Sequence, residues 1–473
     1  MSLPPGLGPL SNRASQYQQQ HTLIVDKLGR LRYAPQSRRI LALPLEILAE
    51  IFEHCLPDVE FIRPALTAAP LVLCSVCHQW REVAVSTPKL WGSLELRLEL
   101  SEPKTYHQWE AYVYLYLTWL SRARRTPVSL SISLIKVLKS PHRVRPILQA
   151  IAQMSAQCRI IKFDPTLVDI HVLFPSDAFA HPRFPFLEKV TCTNHTQFTD
   201  LLPFANAPRV RELYTCSYPI ALPTEFPWEQ ITLFTTHRAT LSSCLSVLDR
   251  AVQLVDCNLR IALDDIDSFP TSVVSLDHLQ SLSISAFSDV ANVPAPKPMS
   301  ILGHLKTPAL KHLILRNDYS GHHLADFTSF FSWQLRSTAQ LHVLVLSLIP
   351  VSGETLVACL KAVPTLVQLR LKLLHEIDMN PVFTQLMEAN FLPKLEAMNC
   401  QLSIKAILDP TVLAKVLRWR WDGIGITRLR RFLILKRQDG DFYAAIRTEL
   451  AALKDEGMQL YFGPSWDTVT HAL

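Results

Sequence analysis

The chain has 473 residues, 48% of them hydrophobic and 19% charged, a composition typical of a globular protein and not of a disordered one. Its net charge of +6 comes from 47 basic and 41 acidic residues, a mixture that does not indicate a nucleic-acid-binding surface. Of the 12 glycines none lies between Gly92 and Gly303, which argues against a nucleotide site there, because phosphate-binding loops need glycine.

The first 39 residues are polar, contain several prolines and show no hydrophobic periodicity, which predicts a disordered N-terminal arm. A helix is predicted from Pro44, because apolar residues follow it at helical spacing as far as Phe52. A second helix is predicted over residues 71–85, and Leu90-Trp91 adds an apolar anchor after it. The short helices of residues 40–92 make a small core, so we expect a partner to cover part of their apolar surface.

Residues 93–127 are predicted to form a linking helical segment, because a helix with an aromatic face fits Tyr106–Arg125 and Pro127 ends it. The segment that follows, from Val128 to Leu134, alternates apolar and polar residues and predicts a strand.

A repeat is visible from residue 128 onwards: an apolar anchor, two variable residues, a second anchor, one variable residue and a third anchor. Seven clear copies and three degenerate ones begin at Leu254, Leu279, Leu310, Leu341, Leu366, Leu395 and Leu429, and at Cys158, Leu187 and Val210. A period of about 30 residues with this spacing is typical of leucine-rich repeats. We therefore predict an α/β chain whose residues 128–473 form an irregular leucine-rich-repeat solenoid with a C-terminal cap. Its parallel strands would line the concave face, with helices or loops on the convex face. An ordinary α/β domain is the alternative, since its strands also carry apolar alternation.

Motifs that would carry chemistry are missing from the sequence. Cys74, Cys77 and His78 could be zinc ligands, but no second Cys-x-x-Cys pair completes such a site, and packing on a helix explains the thiols better. We expect no enzyme activity, no cofactor and no metal. The ten cysteines lie mostly in apolar runs, with neither a secretory leader nor a membrane-spanning run, so we expect reduced thiols in a cytoplasmic or nuclear protein.

Four segments of residues 40–92 resemble, in order, the F-box motif. They are Leu43-Pro44-Leu45-Glu46-Ile47-Leu48, Ile51-Phe52, Val76-Cys77-His78-Gln79-Trp80-Arg81 and Leu90-Trp91. More particularly, the chain is similar to fungal F-box proteins, in which an irregular leucine-rich region follows an N-terminal F-box. It departs from the pattern in an extra loop, Glu60–Pro70, and in His78, which stands where a basic residue is usual.

This resemblance implies a short three-helix F-box ahead of the solenoid and a role as substrate receptor of an SCF-type ubiquitin ligase. The F-box would bind a Skp-family adaptor and, through it, a cullin, while other subunits carry the chemistry; neither nucleic acid nor membrane is an expected partner. A scaffold outside any ligase, using the F-box or the repeats, is the alternative. By motif position the adaptor-binding residues and the core behind them are Leu43, Pro44, Leu45, Ile47, Leu48, Ile51, Phe52, Val76, Trp80, Leu90 and Trp91.

The repeats would bind an unknown target protein through residues that project between the anchors. The candidates are His312, Arg316, Gln368, Arg370, Lys372, Asn399 and Arg431. They include several cations and no acid, which favours an acidic or phosphorylated target, because arginine pairs with carboxylates and phosphates in a bidentate way. The alternative is that these cations are only solvated.

Overall fold

The structure is a computed structural model. It describes residues 43–99, 106–135, 141–165, 184–193, 204–216, 226–263, 273–286, 299–317, 325–423, 425–436 and 440–463. The predicted N-terminal arm lies outside these residues. The chain divides into two compact units: the first comprises the described residues up to Val59 together with Pro64–Trp91 and Arg122–Arg124, and the second comprises the remaining described residues.

The first unit contains three short helices, α1 (Leu45–His54), α2 (Leu71–Val76) and α3 (His78–Ser86), followed by a 3₁₀ turn at Pro88–Trp91. The prediction of a single helix over residues 71–85 was wrong. The helix is interrupted at Cys77, whose backbone is extended, with φ −158° and ψ 173°. Its sulfur accepts a hydrogen bond from the Trp80 amide at 3.5 Å, so Cys77 caps the N-terminus of α3.

The core of the first unit is built from large side chains that meet between α1, α3 and the 3₁₀ turn. Phe52 is fully buried, and its ring centroid lies 4.9 Å from that of Trp80. The indole Nε1 of Trp91 donates to the Ala84 carbonyl at 2.8 Å, and the guanidinium of Arg122 lies 4.4 Å from the centre of the Trp91 ring. The largest apolar groups of this small unit are thus already used inside it.

The second unit is dominated by parallel strands. In chain order the strands are β1 (Ser93–Glu99), β2 (Val128–Ile135), β3 (Cys158–Pro165), β4 (Lys189–Cys192), β5 (Glu212–Cys216), β6 (Leu233–Thr240), β7 (Asp256–Leu263), β8 (Val274–Ser275), β9 (Ser281–Ala286), β10 (Leu305–Lys306), β11 (His312–Asn317), β12 (Val343–Ser347), β13 (Gln368–Leu373), β14 (Ala397–Leu402), β15 (Arg431–Lys436) and β16 (Gln459–Gly463). Among the described residues, fourteen of these strands form one sheet in sequence order, while β8 and β10 pair with each other.

Helices or loops connect successive strands, as parallel pairing requires. The helices that follow those of the first unit are α4 (Tyr106–Ala123), α5 (Pro141–Gln153), α6 (Leu241–Arg250), α7 (Thr328–Ser337), α8 (Gly353–Lys361), α9 (Asn380–Gln385), α10 (Pro410–Asp422) and α11 (Gly440–Asp455). The fold is therefore mixed α/β with a long parallel sheet, which is consistent with a leucine-rich-repeat-like solenoid.

The anchors of the repeat form the core of this unit. Leu282, Leu313, Leu344, Leu369 and Met398 are register partners on five successive strands, and each is 0% exposed. Burial of one such side chain contributes about 1.5–3 kcal/mol. Each repeat therefore obtains its stability from the neighbours that cover its anchors.

Three strands of the large sheet had no counterpart in the sequence prediction. The predicted helical segment, residues 93–127, begins with β1, the first strand of the sheet, in which Leu94 and Leu96 are buried; its helix ends at Ala123. The other two are β6, whose third anchor position holds Thr236, and β16, which follows α11 near the C-terminus.

A buried arginine joins two consecutive repeats. Arg420 on α10 is 0% exposed, and burial lowers the pKa of its guanidinium to about 10. Its Nε donates to the carbonyl of Leu386 at 2.7 Å, its Nη1 to that of Leu392 at 2.9 Å, and its Nη2 to that of Phe391. These bonds hold the loop between α9 and β14 against α10.

Candidate interaction surfaces

Helix α1 exposes apolar side chains along one stripe and buries others along the neighbouring one. Ile47 and Ile51 are 45% and 41% exposed, whereas Leu48 and Phe52 are 0% exposed. Residues four apart lie on the same face of a helix, so Ile47 and Ile51 form one stripe, which continues to the exposed Cys55. We call Ile47, Ile51 and Cys55 the α1 stripe.

The predicted adaptor-binding residues fall into two groups. Pro44, Leu45 and Val76 are exposed like the two isoleucines, whereas Leu90 and Trp91 are buried like Leu48 and Phe52. Leu43 and Trp80 are half-buried. Motif position alone does not distinguish the residues that a partner could touch from those that form the core. The exposure of each side chain in the structure makes this distinction.

The residues that alternate with the anchors form the opposite face of the sheet, which we call the front face. The seven predicted target-binding residues all lie on it. His312, Arg316, Arg370 and Arg431 are exposed, and Gln368, Lys372 and Asn399 are half-buried.

The front face loses its exposure towards β15. Ala397 on β14 is 3% exposed, and on β15 Leu433 and Leu435 are 3% and 2% exposed, so both faces of β15 are buried in its central part. The exposed polar part of this face therefore extends as far as β14, and Arg431 lies at the first residue of β15, beyond it.

A pocket of about 380 Å³ lies on the front face over β3 to β6. Its lining residues are Glu60, Lys162, Lys189, Thr191, Thr193, Glu212, Leu213, Tyr214 and Leu233. The ammonium of Lys189 lies 2.7 Å from a carboxylate oxygen of Glu60. With a second lysine, two threonines and a phenol, the pocket offers hydrogen-bond donors of both charged and neutral kinds.

Two aromatic rings continue the front face beside this pocket. The ring centroids of Tyr214 and His237 are 5.1 Å apart. Burial raises the pKa of the Tyr214 phenol, while burial and the nearby Arg260 lower the pKa of His237. Both groups are therefore held neutral and present hydrogen-bonding groups, not charges, near neutral pH.

This pocket was not predicted from the sequence, although three of its lining residues stand at a position of the repeat that points to the front face. Lys162, Thr191 and Tyr214 occupy the position between the second and third anchors of the three degenerate repeats, which is the same position as Arg370 in a clear repeat. The positions between the anchors of the degenerate copies therefore predict front-face residues just as those of the clear copies do.

The structure shows the state of the cysteines, some of which could have been zinc ligands. All ten cysteines lie in described residues and are free thiols, six of them buried, and Cys77 serves as a helix cap. Burial raises the pKa of Cys158, Cys244 and Cys400 to about 12.

The part of the chain that the structure describes contains no group of three or more potential metal ligands. In that same part, no helix combines the length and the hydrophobicity that a membrane crossing needs.

Comparison with known proteins gives little further guidance. No model of a protein family matches the chain, and none of the curated proteins matches it. Among solved structures, it is similar to a chain of the crystal structure of the mouse RP105/MD-1 complex, with 14% sequence identity and a TM-score of 0.26. That match covers 73% of this chain and 68% of the other.

Proposed function

We propose that the chain is the substrate-recognition subunit of an SCF-type ubiquitin ligase in the cytoplasm or nucleus. In this proposal, residues 40–92 are an F-box that binds a Skp-family adaptor and, through it, a cullin, and the front face of the solenoid holds a target protein. The chain itself carries no chemistry, and it acts by bringing the target close to the conjugating enzyme.

The observation that carries the adaptor half of the proposal is the α1 stripe. The F-box resemblance rests on the order of the Leu-Pro, Ile-Phe, Val-Cys and Leu-Trp segments, and α1 exposes two of the motif's isoleucines to solvent. Apolar surface left exposed by a unit with so small a core favours burial by a partner, at about 25 cal/mol for each Å² removed from water.

The target half is supported by the polarity of the front face. From β7 to β14 its charged residues are mostly cations, among them Arg316, Arg370 and Lys372. Exposed guanidinium groups on a sheet that helices support from behind are suited to carboxylate or phosphate groups of a target.

Affinity capture of the full chain from cells in which the proteasome is blocked tests the proposal. The wild-type chain should recover the adaptor, the cullin and ubiquitin-modified target together. Replacing Ile47→Asp and Ile51→Asp should abolish adaptor and cullin recovery without unfolding, because both side chains are already exposed. Leu335→Asp is the matched control, since Leu335 is 83% exposed on α7, outside the first unit.

Each outcome is decisive. Undiminished adaptor capture by the double variant contradicts the F-box assignment. Adaptor recovered without cullin or target turnover favours a scaffold outside any ligase. Recovery of neither adaptor nor cullin by the wild-type chain removes the proposal altogether.

A further inference from the structure

One row of residues on the front face alternates between cations and serines. Arg260, Ser285, Arg316, Ser347 and Lys372 are consecutive register partners on β7, β9, β11, β12 and β13. We call them the cation–serine row. Because the register is continuous, the five residues lie side by side across the strands although the chain separates the first from the last by four repeats.

The strand spacing fixes the distance between the cations of this row. Neighbouring strands are about 4.8 Å apart, so the Cα atoms of Arg260 and Arg316, two strands apart, are separated by about 9.6 Å, and the same holds for Arg316 and Lys372. One turn of a polyproline II helix contains three residues and spans about 9.3 Å, so residues three apart are on the same side of it. Every third side chain of such a segment therefore comes opposite a cation.

Arg316 and Lys372 carry positive charge that the acidic residues of the described front face do not balance. Between β7 and β14, the described front face has one carboxylate, Asp256, which is hydrogen-bonded by Ser281. Asp256 is four residues from Arg260 along the same strand, about 13 Å away. Within the described residues, the side chains of Arg316 and Lys372 make no hydrogen bond or ion pair. The two serines are half-buried between the cations, where their hydroxyls can donate to an anion.

The other front-face cations do not belong to this row. Arg370 is on the same strand as Lys372 but two residues earlier, and Arg431 lies in a third row at the start of β15. In the amide orientation that satisfies both groups, the oxygen of Gln368 accepts from Nη2 and Nε of Arg370 at 2.8 and 2.9 Å. Arg370 thus has a partner within its own strand, whereas Arg316 is exposed and Lys372 is half-buried without such a partner.

We propose that the cation–serine row binds a segment of the target in the polyproline II conformation, which runs across the strands and carries an anionic side chain at every third position. The anionic group is a carboxylate or a phosphate, which share the chemistry of pairing with arginine and accepting from hydroxyls. This inference rests on the proposed target-binding role of the front face. It deepens that role by assigning it to one row and one spacing.

Binding of labelled peptides to the full chain, followed by fluorescence anisotropy, tests this assignment. The probes are four repeats of Glu-Pro-Ala, the same peptide with phosphoserine in place of glutamate, and an isomer of the first with its four glutamates contiguous. The wild-type chain should bind one or both of the spaced peptides at least about tenfold more tightly than the contiguous isomer, since each well-formed charged hydrogen bond contributes a factor of this size. The two spaced peptides show whether carboxylate or phosphate is preferred.

Two pairs of substitutions with equal loss of charge locate the site. Arg316→Gln with Lys372→Gln should weaken the spaced peptides by about tenfold or more. Lys361→Gln with Arg430→Gln removes the same charge from two exposed positions outside the front face and should change binding by less than about threefold, a difference that unspecific charge attraction would not produce. Circular dichroism and thermal unfolding of both double variants check that the fold is kept.

Several results would overturn the row assignment. They are equal weakening by both pairs, equal binding of the contiguous isomer, lack of binding by every peptide, and displacement of the peptides by a single-stranded oligonucleotide at lower concentration. Adaptor capture through the α1 stripe is measured separately on the Arg316 and Lys372 variants. If it persists while peptide binding is unaffected, the row assignment fails and the proposed adaptor role stands.

Discussion

Ile47 and Leu48 are adjacent in sequence but lie on different sides of α1, about 100° apart around its axis, and Ile47 is 45% exposed whereas Leu48 is 0% exposed. Both belong to the segment that resembles the start of an F-box. The same motif therefore contributes one residue to the surface and the next to the core. A substitution of Ile47 tests partner binding, whereas a substitution of Leu48 tests the stability of the first unit.

Leu48→Ala should destabilise the first unit by about 2–5 kcal/mol, because it leaves a cavity beside the buried Phe52. Ile47→Ala should cost less than about 1 kcal/mol, because the side chain is largely solvated. Hydrogen exchange of peptides from α1, α2 and α3, followed by mass spectrometry, measures the difference. Equal loss of protection in both variants would show that Ile47 is also a core residue.

Arg420→Met should destabilise the second unit by about 3 kcal/mol or more. The substitution leaves the carbonyls of the buried residues Leu386 and Phe391 without their donor, while the Leu392 carbonyl keeps the Leu395 amide. Each unsatisfied group costs about 1–3 kcal/mol. Urea unfolding followed by circular dichroism measures the loss. The control is Arg430→Met, which removes an exposed guanidinium and should change stability by less than about 0.5 kcal/mol.

Gly353→Ala should be strongly destabilising, whereas Gly303→Ala should be tolerated. A Cβ on Gly353, the first residue of α8, would lie 2.2 Å from the carbonyl oxygen of Asp378, and a backbone atom cannot move aside easily. A Cβ on Gly303 would meet the Ser329 hydroxyl at 3.4 Å, an ordinary contact. Thermal unfolding of the two variants compares them directly, and similar midpoints would contradict the close approach at Gly353.

Glu456 should stabilise the C-terminal helices only above acid pH. Its carboxylate accepts from Arg418 at 2.8 Å and from the indole of Trp421 at 2.8 Å, and the hydrogen bond from Arg418 lowers its pKa below the ordinary 4.5. A group whose pKa falls on folding contributes stability that is present above its unfolded pKa and is lost as the pH drops through its folded value.

The unfolding midpoint of Glu456→Gln should therefore lie below that of the wild type at neutral pH, and the two should converge below pH 4.5. Glu449→Gln is the control, since Glu449 is an exposed glutamate of α11, the helix that ends one residue before Glu456. A difference that persists unchanged at low pH would mean that the Glu456 side chain acts through packing and not through its charge.

The solenoid could be predicted from sequence because burial requires an apolar residue at each anchor, and the chain keeps that spacing in ten copies. The strand β6 was not predicted, although its first two anchors, Ile231 and Phe234, are apolar and buried. Its third anchor is Thr236, 1% exposed, whose hydroxyl lies 3.4 Å from that of Thr215, the third anchor of the degenerate copy on β5. Two neighbouring threonines that satisfy each other can replace a leucine pair, which weakens the apolar pattern at both strands.

Other features depend on geometry that a single sequence does not carry. Cysteine is not among the usual N-cap residues, so nothing in the apolar periodicity of residues 71–85 indicates the interruption at Cys77. The cation–serine row depends on which strands are neighbours, and it exists only because β8 lies outside the large sheet, so that β7 pairs directly with β9. By contrast, β1 could have been predicted, since Leu94 to Leu98 alternate strictly with charged residues.

The α1 stripe ends at Cys55, the one exposed thiol among ten cysteines that all lie in described residues. A maleimide added to the native chain should thus mark the stripe itself ahead of the six buried thiols. Cys55 is thus a native alkylation probe of the α1 stripe. A partner that covers Ile47 and Ile51 will also shield the Cys55 sulfur and slow its alkylation, so the surface can be followed without any substitution in it.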